Sequence, residues 1–281
     1  MNANILDDKK PVTWFSLVLL LITFIFYSNV IYNHFSMDDY HVNINNPIIA
    51  KGISGIPEIW TSLYAEESGM EIPPFPMVFT KHTSCIVGPF EDIQMRSDIV
   101  DYEAELVVVI GKKGKNITID NAWEHVAGLT VGQDISDRAV QFHATPPQFN
   151  LGKSFDTFGP IGPYLVSPDS VANKNAVHLE CHINNELRQE SSTDDLIFTV
   201  PDIISYISEF LTLNTGDLIF TGTPSGVGAT QGKLLKDGDI ITTSIKEIGT
   251  IKNKCIRIND HSNISYMPEF LKGRIPTNDD S

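Results

Sequence analysis

Three acidic side chains have a spacing that suits a divalent-cation site. Glu103 and Glu105, in residues 101–105 (DYEAE), are two positions apart, so on an extended backbone both carboxylates point to the same face. Asp134, in residues 131–138 (VGQDISDR), could supply a third oxygen ligand. Carboxylates crowded beside an apolar strand repel one another, and a hard cation such as Mg²⁺ or Mn²⁺ relieves that repulsion. A solvated acidic strand face is the alternative that the pair alone leaves open.

The elements around these residues indicate a mainly β protein. Residues 105–111 (ELVVVIG) form an apolar run of strand length, which predicts a buried strand. Further strands are predicted at residues 164–166, 178–183, 217–220 and 239–245. One helix is predicted to begin with Asp120 as its N-cap, and Pro201 opens a second. Residues 112–115 (KKGK) predict a charged hairpin turn. Many strands with few helices favour a mixed α+β fold.

Composition narrows the class of partner. The formal net charge of −15 over 281 residues argues against nucleic acid, because binding phosphates requires clustered lysine and arginine. An anionic small molecule is still compatible, since a bound metal dominates the local field. Cys85, Cys181 and Cys255 follow no zinc or redox spacing, so we expect free thiols.

Six segments resemble, in order and in spacing, segments of the fumarylacetoacetate hydrolase (FAH) family. They are residues 102–111, 132–141, 152–163, 184–189, 195–201 and 220–228. The resemblance extends over about residues 67–256. It implies an FAH-type mixed β-sandwich roll that pairs as a homodimer.

The resemblance also implies roles for individual residues. The metal ligands would be Glu103, Glu105 and Asp134. Lys153 and Glu67 would be catalytic residues. The substrate would be bound by Arg138, Gln141, Thr223 and Gly222. Lys153 would act as a point charge on the substrate's carboxylate or developing enolate. Gly222 would allow the backbone to approach the substrate closely. For Arg138, a structural ion pair is an equally good interpretation.

The chemistry implied by the resemblance is that of small 2-oxo and 2,4-dioxo acids. Such an acid chelates Mg²⁺ or Mn²⁺, and the metal stabilises the enolate formed when a neighbouring C–C bond breaks. The expected activity is therefore hydrolysis or lysis of C–C bonds, as in acylpyruvate hydrolases and oxaloacetate decarboxylases. Isomerisation or hydration of unsaturated oxo acids shares the same enolate, and family membership alone does not choose among these reactions.

One part of the family pattern is altered. Hydrolytic members carry a histidine and a glutamate three positions apart, which activate water. Here Glu67 fits the glutamate, but Tyr64 stands at the histidine position, and a tyrosine with a pKa near 10 is a poor base. His82 and His143 are the nearby substitutes. The sequence therefore predicts metal binding with weak or absent hydrolysis, and a catalytically impaired pseudoenzyme is an alternative.

The N-terminal part has a different character. No charged residue occurs from position 11 to 33, a stretch long enough to span a bilayer. Lysines precede it and aspartates follow it, which predicts a single-pass helix with residues 1–10 in the cytoplasm. A signal anchor, a signal peptide and a buried helix are alternatives.

Residues 12–63 resemble the first span and outer loop of multi-spanning glycosyltransferases that use polyprenyl-phosphate sugars. The further spans of such enzymes are missing, so sugar transfer is an improbable function. We interpret the chain as a chimera joined near residues 64–69. Its predicted parts are a tail (1–10), a transmembrane helix (11–33), a foreign segment (34–66), the catalytic domain (67–258) and a polar tail (259–281). The predicted location is membrane, with a catalytic domain of a cytoplasmic or mitochondrial type.

Overall fold

The computed structural model describes residues 74–144 and 147–258, together with 267, 268 and 271. Its strands are β1 Ile86–Val87, β2 Ile93–Met95, β3 Val100–Asp101, β4 Ala104–Ile110, β5 Val126–Gln133, β6 Ser136–Asp137, β7 Gly159–Val166, β8 His178–Ile183, β9 Glu186–Ser192, β10 Leu218–Phe220, β11 Ile240–Ile245 and β12 Gly249–Arg257. Its α-helices are α1 Arg138–Gln141, α2 Phe149–Gly152, α3 Val200–Phe210 and α4 Gly228–Gln231. Short 3₁₀ helices occupy Thr83–Cys85, Ile119–His125, Pro168–Ser170 and Thr193–Asp195.

The strands form two five-stranded mixed sheets and one small pair. The first sheet has the order β1-β7-β5-β4-β10 and the second the order β2-β12-β11-β8-β9, while β3 pairs with β6. The pairs β1–β7 and β2–β12 are parallel, and the other ladders are antiparallel. This arrangement confirms the predicted mixed α+β class.

Strand β4 lies between β5 and β10 and is almost wholly buried. Leu106, Val108 and Ile110, on one face, join the main hydrophobic core. A strand covered on both faces reads in sequence as a continuous apolar run, which explains why residues 105–111 predicted it so closely. Glu105 lies at the start of β4, and Glu103 lies just before the strand.

Helix α3 begins with a capping box. Thr199 is the N-cap, and its hydroxyl accepts a hydrogen bond from the backbone amide of Asp202. The Asp202 carboxylate accepts a hydrogen bond from the backbone amide of Thr199. Val200, Ile203 and Ile204 are buried against the core, as their helical spacing requires. The helix predicted at Pro201 is therefore present, one residue earlier than expected.

Two local predictions were wrong. The helix predicted after Asp120 is the 3₁₀ helix Ile119–His125, with Thr118 rather than Asp120 as its N-cap. Residues 112–115 do not form a tight hairpin turn, because β4 and β5 are joined by fifteen residues that include this 3₁₀ helix. Gly114 instead bridges to Leu213, which follows α3. Tertiary contacts with α3 thus set the shape of this connection.

The predictions for residues 1–73 lie outside the described residues, and so do most of those for the C-terminal tail. These include the span at 11–33, the foreign segment 34–66, Tyr64 and Glu67. Within the described part of the chain, no helix has both the length and the apolar character needed to cross a membrane.

Candidate metal centre

The pairing of β4 with β5 brings the three acidic residues together. Glu105 lies opposite Gly132 in the ladder, and the Asp134 amide just beyond β5 donates to the Glu103 carbonyl at 2.8 Å. One carboxylate oxygen from each of Glu103, Glu105 and Asp134 lies within 4.8 Å of the other two, and all three residues are buried. Neighbouring strand ends therefore build a compact set of oxygen donors from positions 31 residues apart.

Lys153 supports this triad from the enclosed side. Its ammonium donates to Glu103 Oε2 at 2.7 Å, to Asp134 Oδ2 at 2.8 Å and to Ser136 Oγ at 2.9 Å, which accounts for all three of its protons. Burial lowers the pKa of Lys153, but the charges of Asp134 and Glu103 outweigh it and raise the pKa overall. Lys153 therefore stays protonated between two of the candidate ligands.

Sequence reasoning missed a second lysine. Lys81 donates to Asp134 Oδ1 at 2.7 Å, and it also contacts the backbone carbonyls of Lys153 and Phe158. Each oxygen of Asp134 is thus held by a different lysine. Lys81 lies in an irregular stretch that precedes the first strand, and no spacing relates it to the acidic residues. Only the fold reveals the contact.

Arg138 forms a buried ion-pair network behind the triad. It donates twice to Asp101 Oδ2, at 2.8 and 3.1 Å, and once to Glu103 Oε1 at 2.7 Å. Asp101 also accepts the backbone amides of Gly228 and Ala229 at the start of α4. The ion-pair interpretation of Arg138 thus describes its contacts, and any contact with substrate is a proposal.

Gln141 is positioned through Arg138. Its Oε1 accepts from Arg138 at 2.9 Å, while its amide nitrogen is buried without a hydrogen-bond partner among the described residues. The side chain is fully enclosed. Its proposed contact with substrate would require a molecule to reach this buried donor.

The loop after β10 closes the other side of the triad. Gly222, at φ +98°, donates its amide to Glu105 Oε2 at 2.8 Å. This positive φ favours glycine and turns the amide toward the carboxylate. Thr223 is tied to the start of β4, because its hydroxyl donates to the Ala104 carbonyl at 2.9 Å and accepts from Gln189. The loop therefore fixes the orientation of Glu105.

The electrostatics of this donor set suit a dication. Burial, followed by the nearby charges of Asp134 and Glu103, raises the pKa of Glu105 well above its ordinary value. Three carboxylate oxygens in a buried site are hard donors of the kind that Mg²⁺ and Mn²⁺ prefer. The residues present therefore fit a divalent cation, which would offset the crowded negative charge.

A cavity of about 840 Å³ opens beside the triad. Its wall includes all three acidic residues, Gly222 and Thr223, and apolar side chains from α3 and β10. Among the described residues, Lys81 is the one lysine or arginine in this wall, and no histidine lines it. His82 and His143, the substitutes considered for the missing histidine, are both exposed.

Comparison with known proteins agrees with this architecture. Residues 59–256 match the family model described as fumarylacetoacetate (FAA) hydrolase C-terminal. The chain is 44% identical over 197 residues to fumarylacetoacetate hydrolase domain-containing protein 2 of Pongo abelii, and 43% identical over 197 residues to oxaloacetate tautomerase FAHD2A, mitochondrial, of Homo sapiens. Each match covers 69% of this chain and 63% of the relative's own length.

A solved structure adds a metal to the comparison. Fumarylpyruvate hydrolase from Pseudomonas aeruginosa, in complex with Mn²⁺ and pyruvate, is 31% identical with a TM-score of 0.63, covering 69% of this chain and 84% of that one. The chain therefore belongs to the fumarylacetoacetate hydrolase family, through its C-terminal domain. Two of the relatives compared above are named as enzymes of small oxo acids, an oxaloacetate tautomerase and a fumarylpyruvate hydrolase.

Proposed function

We propose that this chain is a divalent-metal-dependent enzyme that forms and stabilises the enolate of a small 2-oxo acid, in the manner of an oxaloacetate tautomerase. The observation that supports this most is the buried triad of Glu103, Glu105 and Asp134 in the wall of a cavity. The names of relatives at 43–44% identity support tautomerisation as the particular reaction. Those names also support a mitochondrial-type domain.

In this proposal the triad would hold Mg²⁺ or Mn²⁺. The bound cation would supply the positive charge that stabilises an enolate. Lys153 and Arg138 keep two of the carboxylates in place from the enclosed side, and the Gly222 amide keeps the third. Because these contacts exist before any ligand arrives, little reorganisation would be needed for binding.

Other residues of this chain would handle substrate and proton. Thr223, whose hydroxyl is already bonded to Ala104, would offer its backbone amide to the substrate carboxylate. Glu67 would accept a proton from the carbon beside the 2-oxo group and deliver it to the 2-oxo oxygen, which converts the keto form into the enol. Tautomerisation adds no water and breaks no C–C bond, so it does not require the histidine that Tyr64 replaces. Lys153 and Arg138 would contribute charge near the developing enolate.

Hydrolysis of an acylpyruvate-type C–C bond is the second candidate. Its support is the similarity to the fumarylpyruvate hydrolase that binds Mn²⁺ and pyruvate. Against it stands Tyr64, at the position where hydrolytic members of the family carry a histidine. If hydrolysis is the ancestral reaction, Tyr64→His should raise acylpyruvate cleavage strongly while leaving Mn²⁺ affinity unchanged.

The test measures oxaloacetate tautomerisation, followed through the ultraviolet absorbance of the enol, with and without Mn²⁺. Glu103→Gln, Glu105→Gln and Asp134→Asn should each lower the metal-dependent rate by at least about 100-fold, because each removes a ligand that positions the cation. Titration calorimetry with Mn²⁺ should show weaker binding in the same variants.

The matched control is Glu124→Gln, which changes an exposed glutamate on the 3₁₀ helix Ile119–His125. It should leave rate and affinity at the wild-type level. Full activity in any triad variant would refute the proposal. Metal binding without turnover of any oxo acid would instead support the pseudoenzyme.

A further inference from the structure

Two lysines hold Asp134, but only one of them faces the cavity. Lys153 is fully buried and is absent from the wall, whereas Lys81 lies in the wall beside the triad. A lysine behind the ligands can position them, and a lysine in the wall can also contact a bound molecule. The two residues are therefore suited to different tasks.

The contacts of Lys81 leave its charge only partly neutralised. Its one charged partner is Asp134 Oδ1, and its other two acceptors are the neutral backbone carbonyls of Lys153 and Phe158. Asp134 is itself shared with Lys153. The Lys81 ammonium also lies 5.8 Å from the centroid of the Phe220 ring, just before the Gly222–Thr223 loop.

The charge balance changes when a dication is present. In the cavity wall, three carboxylates face one cationic side chain, that of Lys81. Lys153 and Arg138 offset part of the negative charge of the carboxylates from the enclosed side. Adding two positive charges would leave Lys81 as the cationic side chain in the wall that faces an anion in the cavity, where a carboxylate would replace one of its two neutral carbonyl acceptors. An oxo acid with one carboxylate uses that group to bind the metal ion, whereas a second carboxylate needs a cationic partner of its own.

We propose that Lys81 is the specificity-determining residue that selects 2-oxo diacids, by pairing with the carboxylate remote from the 2-oxo group. This inference rests on the proposed function, because it assumes that the triad binds a cation and an oxo acid. Substrate discrimination would thus fall to a residue that no sequence pattern singles out. Lys153 keeps the positioning role that its three enclosed contacts define.

The test compares two ligands that differ only at the remote end. Oxaloacetate carries a second carboxylate where 2-oxobutyrate carries a methyl group. Binding of each to the full chain loaded with Mn²⁺ is measured from the water-proton relaxation of the ion, with freshly dissolved ligand. Wild-type protein should prefer oxaloacetate by about tenfold or more, the scale of one charge-assisted hydrogen bond.

Lys81→Met and Lys81→Gln should abolish this preference by weakening oxaloacetate binding, while 2-oxobutyrate affinity stays within about threefold of wild type; each variant is measured at a Mn²⁺ concentration that saturates it. Lys81→Arg should retain most of the preference, because it keeps the charge. The control Lys233→Met removes an exposed lysine that pairs with Glu186, and it should behave as wild type.

Three outcomes would overturn the inference: a preference that survives in both neutral variants, a loss of affinity for both ligands alike, or a loss of Mn²⁺ binding that Lys81→Arg does not restore. A wild-type protein that binds Mn²⁺ but neither oxo acid would count against the proposed function itself. The two failures are therefore distinguishable.

Discussion

Burial of charge explains most of the individual residues around the candidate site. Arg138 and Lys153 are fully buried, and an unpaired cation in such a place would destabilise the fold by several kcal/mol. Each is paired with two carboxylates instead. Removing any one of these partners therefore leaves a buried charge behind, so substitutions at this site need a stability measurement beside every activity measurement.

Asp137 offers a test of charge burial outside the triad. It is fully buried, and its side chain accepts from the Val140 amide as the N-cap of α1. Burial raises the pKa of Asp137 above its ordinary value of 3.8. The folded state therefore binds the proton more tightly than the unfolded state does. This contribution to stability is complete below about pH 4 and is lost as the pH rises through the folded pKa.

We therefore expect Asp137→Asn to flatten the dependence of unfolding free energy on pH between about pH 4 and 7, with the largest gain over wild type at the upper end. Asparagine keeps the capping acceptor, so the helix start is preserved. Urea unfolding at several pH values measures the effect. Asp98→Asn, at a largely exposed position, is the control, and parallel curves for wild type and Asp137→Asn would contradict the prediction.

The cysteines behave as the sequence predicts. Cys85, Cys181 and Cys255 are free thiols, and all three are buried. Burial raises the pKa of Cys181 and of Cys255 to about 12, which keeps both thiols protonated at neutral pH. Cys181 also accepts hydrogen bonds from Gln133 and Thr243. Their role is packing within the core.

At the scale of elements, the site depends on pieces that the chain must hold in register. Glu105 lies in β4, Glu103 lies just before that strand, and Asp134 follows β5. Strand β10 leads into the Gly222–Thr223 loop, and α3 packs against the core. The register of β4 against β5 decides whether Glu103 and Glu105 face Asp134, because a slip by one residue would turn both to the opposite face.

Helix α3 provides the stability test for this scale. Thr199→Ala removes the side-chain half of the capping box and should lower the unfolding free energy by about 1 kcal/mol. Thermal or urea unfolding would detect the change, and Mn²⁺ affinity should be unaffected because the cap lies outside the triad. Thr212→Ala, at an exposed position just beyond the helix, serves as the comparison and should lower the unfolding free energy by less than Thr199→Ala does. Equal stability of both variants with wild type would exclude a contribution from the cap.

At the scale of the whole molecule, folding and metal binding should be linked. The triad exists only in the folded state, since its ligands come from positions far apart in the chain, so a cation bound there stabilises that state selectively. A concentration of Mn²⁺ equal to 100 times its dissociation constant should add about 2.7 kcal/mol.

For a domain of this size that gain should raise the melting temperature by roughly 5–10 °C. Differential scanning calorimetry with MnCl₂ or MgCl₂, against NaCl at the same ionic strength, measures the shift. Glu103→Gln and Asp134→Asn should melt at the same temperature with and without the divalent salt. A shift that persists in these variants would place the cation elsewhere.

The N-terminal predictions also belong to this scale. Four features stay predictions: the span at residues 11–33, the join between the foreign segment and the catalytic domain near residues 64–69, the single-pass membrane location and the homodimer. The family match begins at residue 59, slightly before the proposed join. The matched region is thus somewhat longer than the 67–256 expected from the sequence.

The sequence alone determined the family, the mixed α+β class and the identity of the acidic triad. These features are local: an i, i+2 pair of glutamates on a strand, an apolar run of strand length and short motifs in a fixed order are all legible without contacts. Strands buried on both faces are the clearest of these signals, because most of their residues must be apolar.

Only the tertiary structure decided how charge is shared around the triad. It placed Lys153 behind two of the ligands, tied Arg138 to Asp101, and brought Lys81 into the cavity wall. These contacts join positions 19 to 53 residues apart, so no spacing along the chain records them. They arise because the paired strands and the turns between them bring separated segments together, and electrostatic energy depends on distance in space.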